Sequence, residues 1–445
     1  MLEKESIKLL TLLLEKIQEG YNLPDLPEIP EYELQKMEKV LTIAAEKMQD
    51  NYPYFHPLYA GQMLKPPHPV ARLAYMMSLW INPNNHALDG GRASSAMEKE
   101  VVSDIASMIG WKSHMGHLTS GGTMANLEAL WVAGKIHPGK IIVGSDQAHY
   151  THSRITEVLK LDYEYVESTP SGKMDLLRLE EKLKKGNVGT VIVTMGTTGI
   201  GAVDPLSDIL RLKEKYDFRI HIDGAYGGYF KLASNLKVKS EFDLIYQANS
   251  LVIDPHKHGL QPYGCGCIVF KDPDVYQYYR HDSPYTYYTS DEVHLGEISL
   301  ECSRPGAAAV ALWATHQLLP PVQRGKFAQS LEDCRSAAID LYHRLENDER
   351  FLPLLEPELD IVVWAIKGSG TAEMSVLAQQ FFDQAEKNQL YLSLFRYPSK
   401  KLRVKHSIII DSDQLLCLRS CLIKPEHHEW MDELWKRIDL SMSQL

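Results

Sequence analysis

The stretch TVIVTMGTTGIGAVDPLSDILRLKEKYDFRIHIDGAYGG, residues 190–228, decides the fold. It opens on TVIVTMG (190–196), a short run of β-branched and apolar residues, and reaches a second such run, FRIHID (218–223). Between them DPLSDILRLKEKY carries its apolar residues at helical period. A strand, a helix and a strand in succession predict parallel neighbours in one sheet. The same rhythm continues outward in IIVGS (141–145), which follows the helical ANLEALWVAGKI, and in SLVID (250–254). The expectation is an α/β fold with a mostly parallel central sheet flanked by helices on both faces. Ligands of such sheets collect at the carboxyl ends of the strands, and the polar motifs of this chain follow apolar runs in that way.

Beyond the sheet, the pattern up to about residue 50 is helical. It is broken by LPDLPEIPEYE, whose Pro24, Pro27 and Pro30 cannot sit inside a helix, so residues 1–60 read as an N-terminal helical arm. Residues 51–91 are rich in turn formers and aromatics, with a short helical piece near 70–80. The large domain is expected over residues 61–318, ending in a helix near 306–317. Pro320 and Pro321 then mark a break. A long helix at 327–346, strand-like DIVVWAI, a helix at 372–388, strand-like YLSLFRY and LRVKHSIII, and a final helix predict a smaller α+β domain over 319–445.

With 445 residues, 44% hydrophobic and 24% charged, the composition is that of a globular protein. A formal charge of −11 gives no general attraction to nucleic acid or to anionic lipid. The apolar run Leu9 to Leu14 is cut by Glu15 and Lys16 and lacks a cleavage pattern, which favours an amphipathic helix over a signal peptide. No apolar span approaches the roughly 20 residues that cross a bilayer. A cytoplasmic protein is expected. Six cysteines without CxxC spacing read as buried small residues, not as a metal site. Cys265 and Cys267 would share one face of a strand, and Cys417 and Cys421 one face of a helix.

Four motifs carry chemistry. TSGGTMANLEAL (119–130) places two glycines and two hydroxyls before a helix, which makes either a phosphate cradle or a capped helix start. In HIDGAYGGYF, Asp223 ends a strand beside small residues that let a flat ligand approach, or it begins a turn. In DQAHYTHSRI, His149 follows a strand and can stack on a ring or belong to a polar cap. In DPHKHGL, Lys257 is a turn lysine or an amine held for Schiff-base chemistry.

Together with GTTGIGAVDP, and in this order, these motifs resemble the group II pyridoxal-phosphate decarboxylases of the fold type I, aspartate aminotransferase-like superfamily. The resemblance covers roughly residues 56–313. It implies that Lys257 holds pyridoxal 5'-phosphate, that Asp223 pairs with the pyridine nitrogen, and that Ala225 and His149 lie on opposite faces of the ring. It further implies a phosphate loop of Gly121, Gly122 and Thr123 with His256 beside it, and support from Thr197. In the family a loop tyrosine, often from across a dimer interface, serves proton transfer. Tyr285, Tyr287 and Tyr288 are the candidates here, with a subunit contact as the alternative. Arg403 resembles the C-terminal-domain arginine set near the substrate carboxylate. Arg304, in CSRPGAAA, resembles an arginine shared with sphingosine-phosphate lyases, or it anchors the following helix.

Three positions depart from the family pattern. Gly224 replaces the first of two alanines after the aspartate, His258 replaces a frequent aromatic, and DGGRASSAMEKE is unusual. What the resemblance implies is a homodimeric α-decarboxylase of an L-amino acid, with its active site at or near the subunit interface. The aromatic-rich Tyr52, Tyr54, Phe55, His56 and Tyr59 favour an aromatic substrate such as tyrosine slightly over glutamate or aspartate, His56 being the substrate-side candidate. The alternatives are a carbon–carbon lyase, suggested by SRPG, and a catalytically silent homologue.

Overall fold

A computed structural model describes residues 4–24, 27–280, 294–402 and 408–445. The opening stretch forms β4 of a seven-stranded sheet and its neighbour β5. The strands are β1 (Met115–Thr119), β2 (Ile141–Ser145), β3 (Tyr163–Val166), β4 (Val188–Thr194), β5 (Arg219–Gly224), β6 (Ser250–Ile253) and β7 (Gly266–Phe270). Their order is β1-β7-β6-β5-β4-β2-β3, and only β7 runs against its neighbours. Every residue of β4 is buried, as is all of β5 after Arg219, which is why β4 reads as a nearly continuous apolar run, while β5 buries the polar His221 and Asp223 as well.

Among the helices that precede or interleave with these strands are α1 (Lys4–Glu19), α2 (Glu31–Met48), α3 (Pro69–Ser78), α4 (Arg92–Ile109), α5 (Gly122–Ile136) and α6 (Thr151–Leu159). One face of the sheet offers Val191, Val193, Ile220 and Ile222 to Leu206 and Ile209 of the helix Leu206–Lys213. The other offers Val252, Ile268 and Phe270 to Ala125, Ala129 and Val132 of α5. Both faces are thereby covered, as a parallel sheet requires.

A second sheet, β10-β11-β9-β8, is wholly antiparallel and built from β8 (Phe351–Pro353), β9 (Ile361–Ile366), β10 (Ser393–Pro398) and β11 (Gln414–Cys421). It has its own core, including Trp364, Phe381 and Leu418. Two expectations change here. Cys417 and Cys421 lie on β11, not on a helix: residues four apart share a face in both, so their spacing was not diagnostic. In LRVKHSIII, residues 403–407 lie outside the described residues, and Ile409 makes an isolated bridge to Gly370. At the other end of the chain, α1 buries Leu10, whereas α2 buries none of its residues.

Candidate active site

A cavity of 290 Å³ opens at the carboxyl ends of β4, β5 and β6. Gly121, Gly122, Thr123, His149, Asp223, Ala225, His256 and Lys257 all line it, joined by Ser120, Asn126, Thr151, Thr194, Thr198, Tyr226 and Asp254. The topology explains the gathering. Thr194 and Asp223 are paired residues at the ends of parallel strands, and the Lys257 loop leaves the next strand over.

Asp223 is fixed from two sides. His152 Nε2 lies 2.8 Å from Oδ2, and the Ala225 amide donates to Oδ1 at 3.1 Å. Burial pushes this carboxyl up, but the His152 hydrogen bond, the His152 and His221 charges and the Ala225 amide outweigh it, holding Asp223 well below the carboxylate range. His221 lies two residues earlier on β5, its ring nitrogens 2.9 Å from Ser250 Oγ and 2.8 Å from Asn126 Oδ1. Gly224, the departure from the family pattern, has a packing reason. A Cβ there would stand 3.0 Å from the Val252 carbonyl oxygen and 3.1 Å from Leu251 Cδ1 on β6.

Lys257 Nζ pairs with Asp254 Oδ2 at 3.0 Å, three residues back in the same loop. His256 Nε2 is 3.5 Å from that oxygen, and its ring lies on Tyr263 at 4.7 Å. Burial lowers the His256 pKa, partly offset by Asp254. His258 turns away from the cavity. Its buried ring packs edge-on to Tyr226 and Phe230, with Nε2 3.2 Å from Asp360 Oδ2. Asp360 also accepts the Tyr226 hydroxyl at 2.6 Å.

His149 stands just before α6 with Nδ1 2.7 Å from Thr151 Oγ1. Burial lowers its pKa, with Asp223 opposing and Lys257 adding, so the ring is neutral at pH 7. Across the cavity, α5 begins at Gly122, where a Cβ would lie 2.6 Å from Asp254 Oδ2. Only glycine lets the helix start approach the Lys257 loop so closely.

Other sequence candidates fall elsewhere. Thr197 is buried behind the cavity wall, its Oγ1 accepting the Ala202 amide at 3.0 Å, while Gly196 and Thr198 face inward. Arg304 is buried outside the cavity lining, with Nη1 2.6 Å from Glu98 Oε1 on α4 and on the Leu118 carbonyl of β1, not on the helix that follows it. The feature that suggested a lyase is thus an internal ion pair. His56 stacks edge-on against Trp430 at 4.9 Å and borders a separate cleft. Tyr52 and Tyr59 line another cavity with Tyr391, and Tyr54 packs on Tyr59 at 5.0 Å. Tyr285, Tyr287, Tyr288 and Arg403 lie outside the described residues.

Three residues were not singled out by sequence. Asp254 had a signal, standing one helical turn before Lys257 in DPHKHGL, and His152 had one in its i+3 spacing from His149. Arg419 had none. It lies buried on β11, donating to the carbonyls of Thr198 (2.7 Å) and Gly199 (3.0 Å) behind the cavity wall.

The donor set fits pyridoxal phosphate. A glycine-lined start of a 15-residue helix suits a phosphate, an ionised buried carboxylate suits a pyridinium, and Lys257 supplies the amine. The buried Thr194 Oγ1 and Asp254 Oδ1 have no hydrogen-bond partner among the described residues, as expected of a polar site shaped around a ligand.

Fold and site together define a pyridoxal-phosphate enzyme of fold type I. The family described as pyridoxal-dependent decarboxylase conserved domain matches residues 18–367, and the chain belongs to it, with pyridoxal phosphate as cofactor. The L-tyrosine decarboxylase of Enterococcus faecium is 26% identical across 74% of this chain and 72% of its own. The L-aspartate decarboxylase of Thermococcus kodakarensis is 29% identical across 62% and 72%. The structure of mouse CSAD in apo form shares the fold, with a TM-score of 0.78 at 19% identity over 99% of this chain and 92% of that one.

Proposed function

We propose that this protein removes the α-carboxylate of an L-amino acid, with tyrosine favoured slightly over aspartate or glutamate. The observation that carries the reaction type is the opposition of Asp223, Lys257 and the α5 amides around one cavity. Bound pyridoxal phosphate supplies an electron sink for the bonding pair left when CO2 departs. Lys257 Nζ holds the cofactor, and Asp223 keeps the ring nitrogen protonated. His149 and Ala225, which both line the cavity, would hold the two faces of the cofactor ring. Gly121, Gly122, Thr123 and His256 take the phosphate, with Thr197 bracing the loop behind.

The residues around the cavity would choose the reaction by how they orient the substrate carboxylate against the bound cofactor. For the substrate carboxylate we favour Arg403 over Arg304, since the Arg304 guanidinium is engaged by Glu98 and that of Arg419 by the Thr198 and Gly199 carbonyls. Tyr285, Tyr287 and Tyr288 remain the candidates for returning a proton to Cα. The tyrosine preference is supported by the L-tyrosine decarboxylases of E. faecium and Levilactobacillus brevis, which match 74% and 80% of this chain. The test is incubation of the cofactor-loaded protein with tyrosine, aspartate and glutamate, reading amines and aldehydes by mass. Amine formation from aspartate with none from tyrosine would end the preference, and aldehyde without CO2 would indicate a lyase.

A homodimer is the assembly we favour. Helix α2 exposes Leu34, Met37, Val40, Leu41 and Ile43, more apolar surface than a lone helix leaves in water. Light scattering of the full chain, beside a variant lacking residues 1–50, is expected to show a dimer that the truncation weakens.

A further inference from the structure

Helix α6 brings a second histidine to the site, and the cavity itself does not account for it. His152 is 1% exposed and stands behind Asp223, outside the cavity lining. Its Nε2 is 2.8 Å from Asp223 Oδ2. We propose that His152 is a positioning residue that locks the orientation and hydrogen bonding of the Asp223 carboxylate, and through it the ring nitrogen of bound pyridoxal phosphate. This rests on the reading of Asp223 as the partner of that nitrogen.

The two oxygens of Asp223 are held differently. The Ala225 amide, from its own turn, takes Oδ1, and His152 Nε2 takes Oδ2. Each oxygen keeps a lone pair for a ligand, while rotation about the Cβ–Cγ bond is blocked. His221 cannot replace this contact, because both its ring nitrogens are engaged by Ser250 and Asn126. The rest of His152 points the same way. Its Nδ1 is buried with no hydrogen-bond partner among the described residues, so the ring's polar attachment is Asp223. An apolar ring would fill the space without leaving that nitrogen unsatisfied, so packing alone does not call for histidine. Placement comes from the helix. His152 lies in the first turn of α6, its amide donating to the His149 carbonyl at 3.1 Å, and Thr156 Oγ1 donates to the His152 carbonyl at 3.0 Å.

The test compares His152→Phe, His152→Gln and Asp223→Asn. Apoprotein is titrated with pyridoxal phosphate, and the absorption spectrum of the loaded protein is followed against pH. His152→Phe is expected to weaken cofactor binding by about 10- to 100-fold, the usual loss when a residue supporting a ligating group is removed. It should shift the pH dependence of the bound-cofactor band and lower kcat with KM little changed, while thermal stability holds. His152→Gln, which keeps a donor, should recover much of the affinity, and His152→Leu serves if the Phe variant does not fold. If the Phe variant binds and absorbs as the parent does while Asp223→Asn loses both, the inference on His152 falls and the reading of Asp223 stands. If Asp223→Asn also behaves as the parent, that reading falls and takes the inference with it.

Discussion

Substituting His258 by phenylalanine and Asp360 by asparagine, singly and together, tests how the lysine loop is tied to the C-terminal sheet. His258 directly follows Lys257, and Asp360 directly precedes β9. Both are buried, with Nε2 3.2 Å from Oδ2 and the Tyr226 hydroxyl 2.6 Å from Oδ1. Burial raises the Asp360 carboxyl, but the adjacent His258 ring, the Tyr226 hydroxyl and Lys65 bring it below its ordinary value, while burial lowers the His258 pKa against the pull of Asp360. His258→Phe removes the polar neighbour of a buried carboxylate and is expected to cost about 1–3 kcal/mol. Asp360→Asn keeps an acceptor for Tyr226 but loses the charge, costing about 1.5–3 kcal/mol. In the double variant no charge is left uncompensated, so its loss should fall short of the sum by about 1–3 kcal/mol. Urea unfolding of the four apoproteins gives the cycle. Additivity within about 0.5 kcal/mol would refute the linkage.

Four further outcomes follow. His221 and His427 are both pushed down to about 3 by burial. With folded values below the unfolded one, the unfolded chain binds more protons, so stability is lost as pH falls from about 6.5 toward 3, at up to ~1.4 kcal/mol per unit for each. His427→Gln should flatten the unfolding free energy measured between pH 4 and 6 by about one proton. Gly122→Ala drives a Cβ to 2.6 Å from Asp254 Oδ2, a clash expected to cost about 1–3 kcal/mol in unfolding free energy and to weaken cofactor binding in absorbance titration. Arg304→Met strands buried Glu98 and should destabilise by about 3–5 kcal/mol with KM unchanged. Arg419→Lys should lower the melting temperature, since an ammonium cannot reproduce the guanidinium fork on the Thr198 and Gly199 carbonyls.

The sheet was legible because its central strands are buried on both faces. TVIVTMG and SLVID are mostly apolar and FRIHID alternates apolar with polar residues, and each appears as a strand within about two residues of its expected bounds. β1, with the sequence MGHLT, was missed because His117 breaks the apolar run, although it is buried against Glu128 at 2.9 Å. β11 was missed because QLLCLRSC has no alternation: five consecutive residues at its end are buried. At the site, residues inside compact motifs could be read directly, as with Lys257 in DPHKHGL. Residues that act from another element could not. Arg419 reaches the GTTG loop from 220 residues away, and His152 meets Asp223 across 71. The puzzle of His258 was likewise a tertiary matter, since its partner Asp360 belongs to the other sheet.

The account's central claim is that Lys257 is the amine that holds the cofactor. It has a rival on simple acidity, because Lys424 is pushed down to about 7 by burial and the Lys65 charge. Lys424, however, is held on the Tyr59 carbonyl at 2.6 Å, away from the Asp223 cavity. Borohydride reduction of the loaded protein, followed by peptide mass mapping, distinguishes the two. The account predicts a single pyridoxyl group on the peptide carrying Lys257, abolished in Lys257→Ala. A group on Lys424, or none anywhere at saturating cofactor, would contradict it.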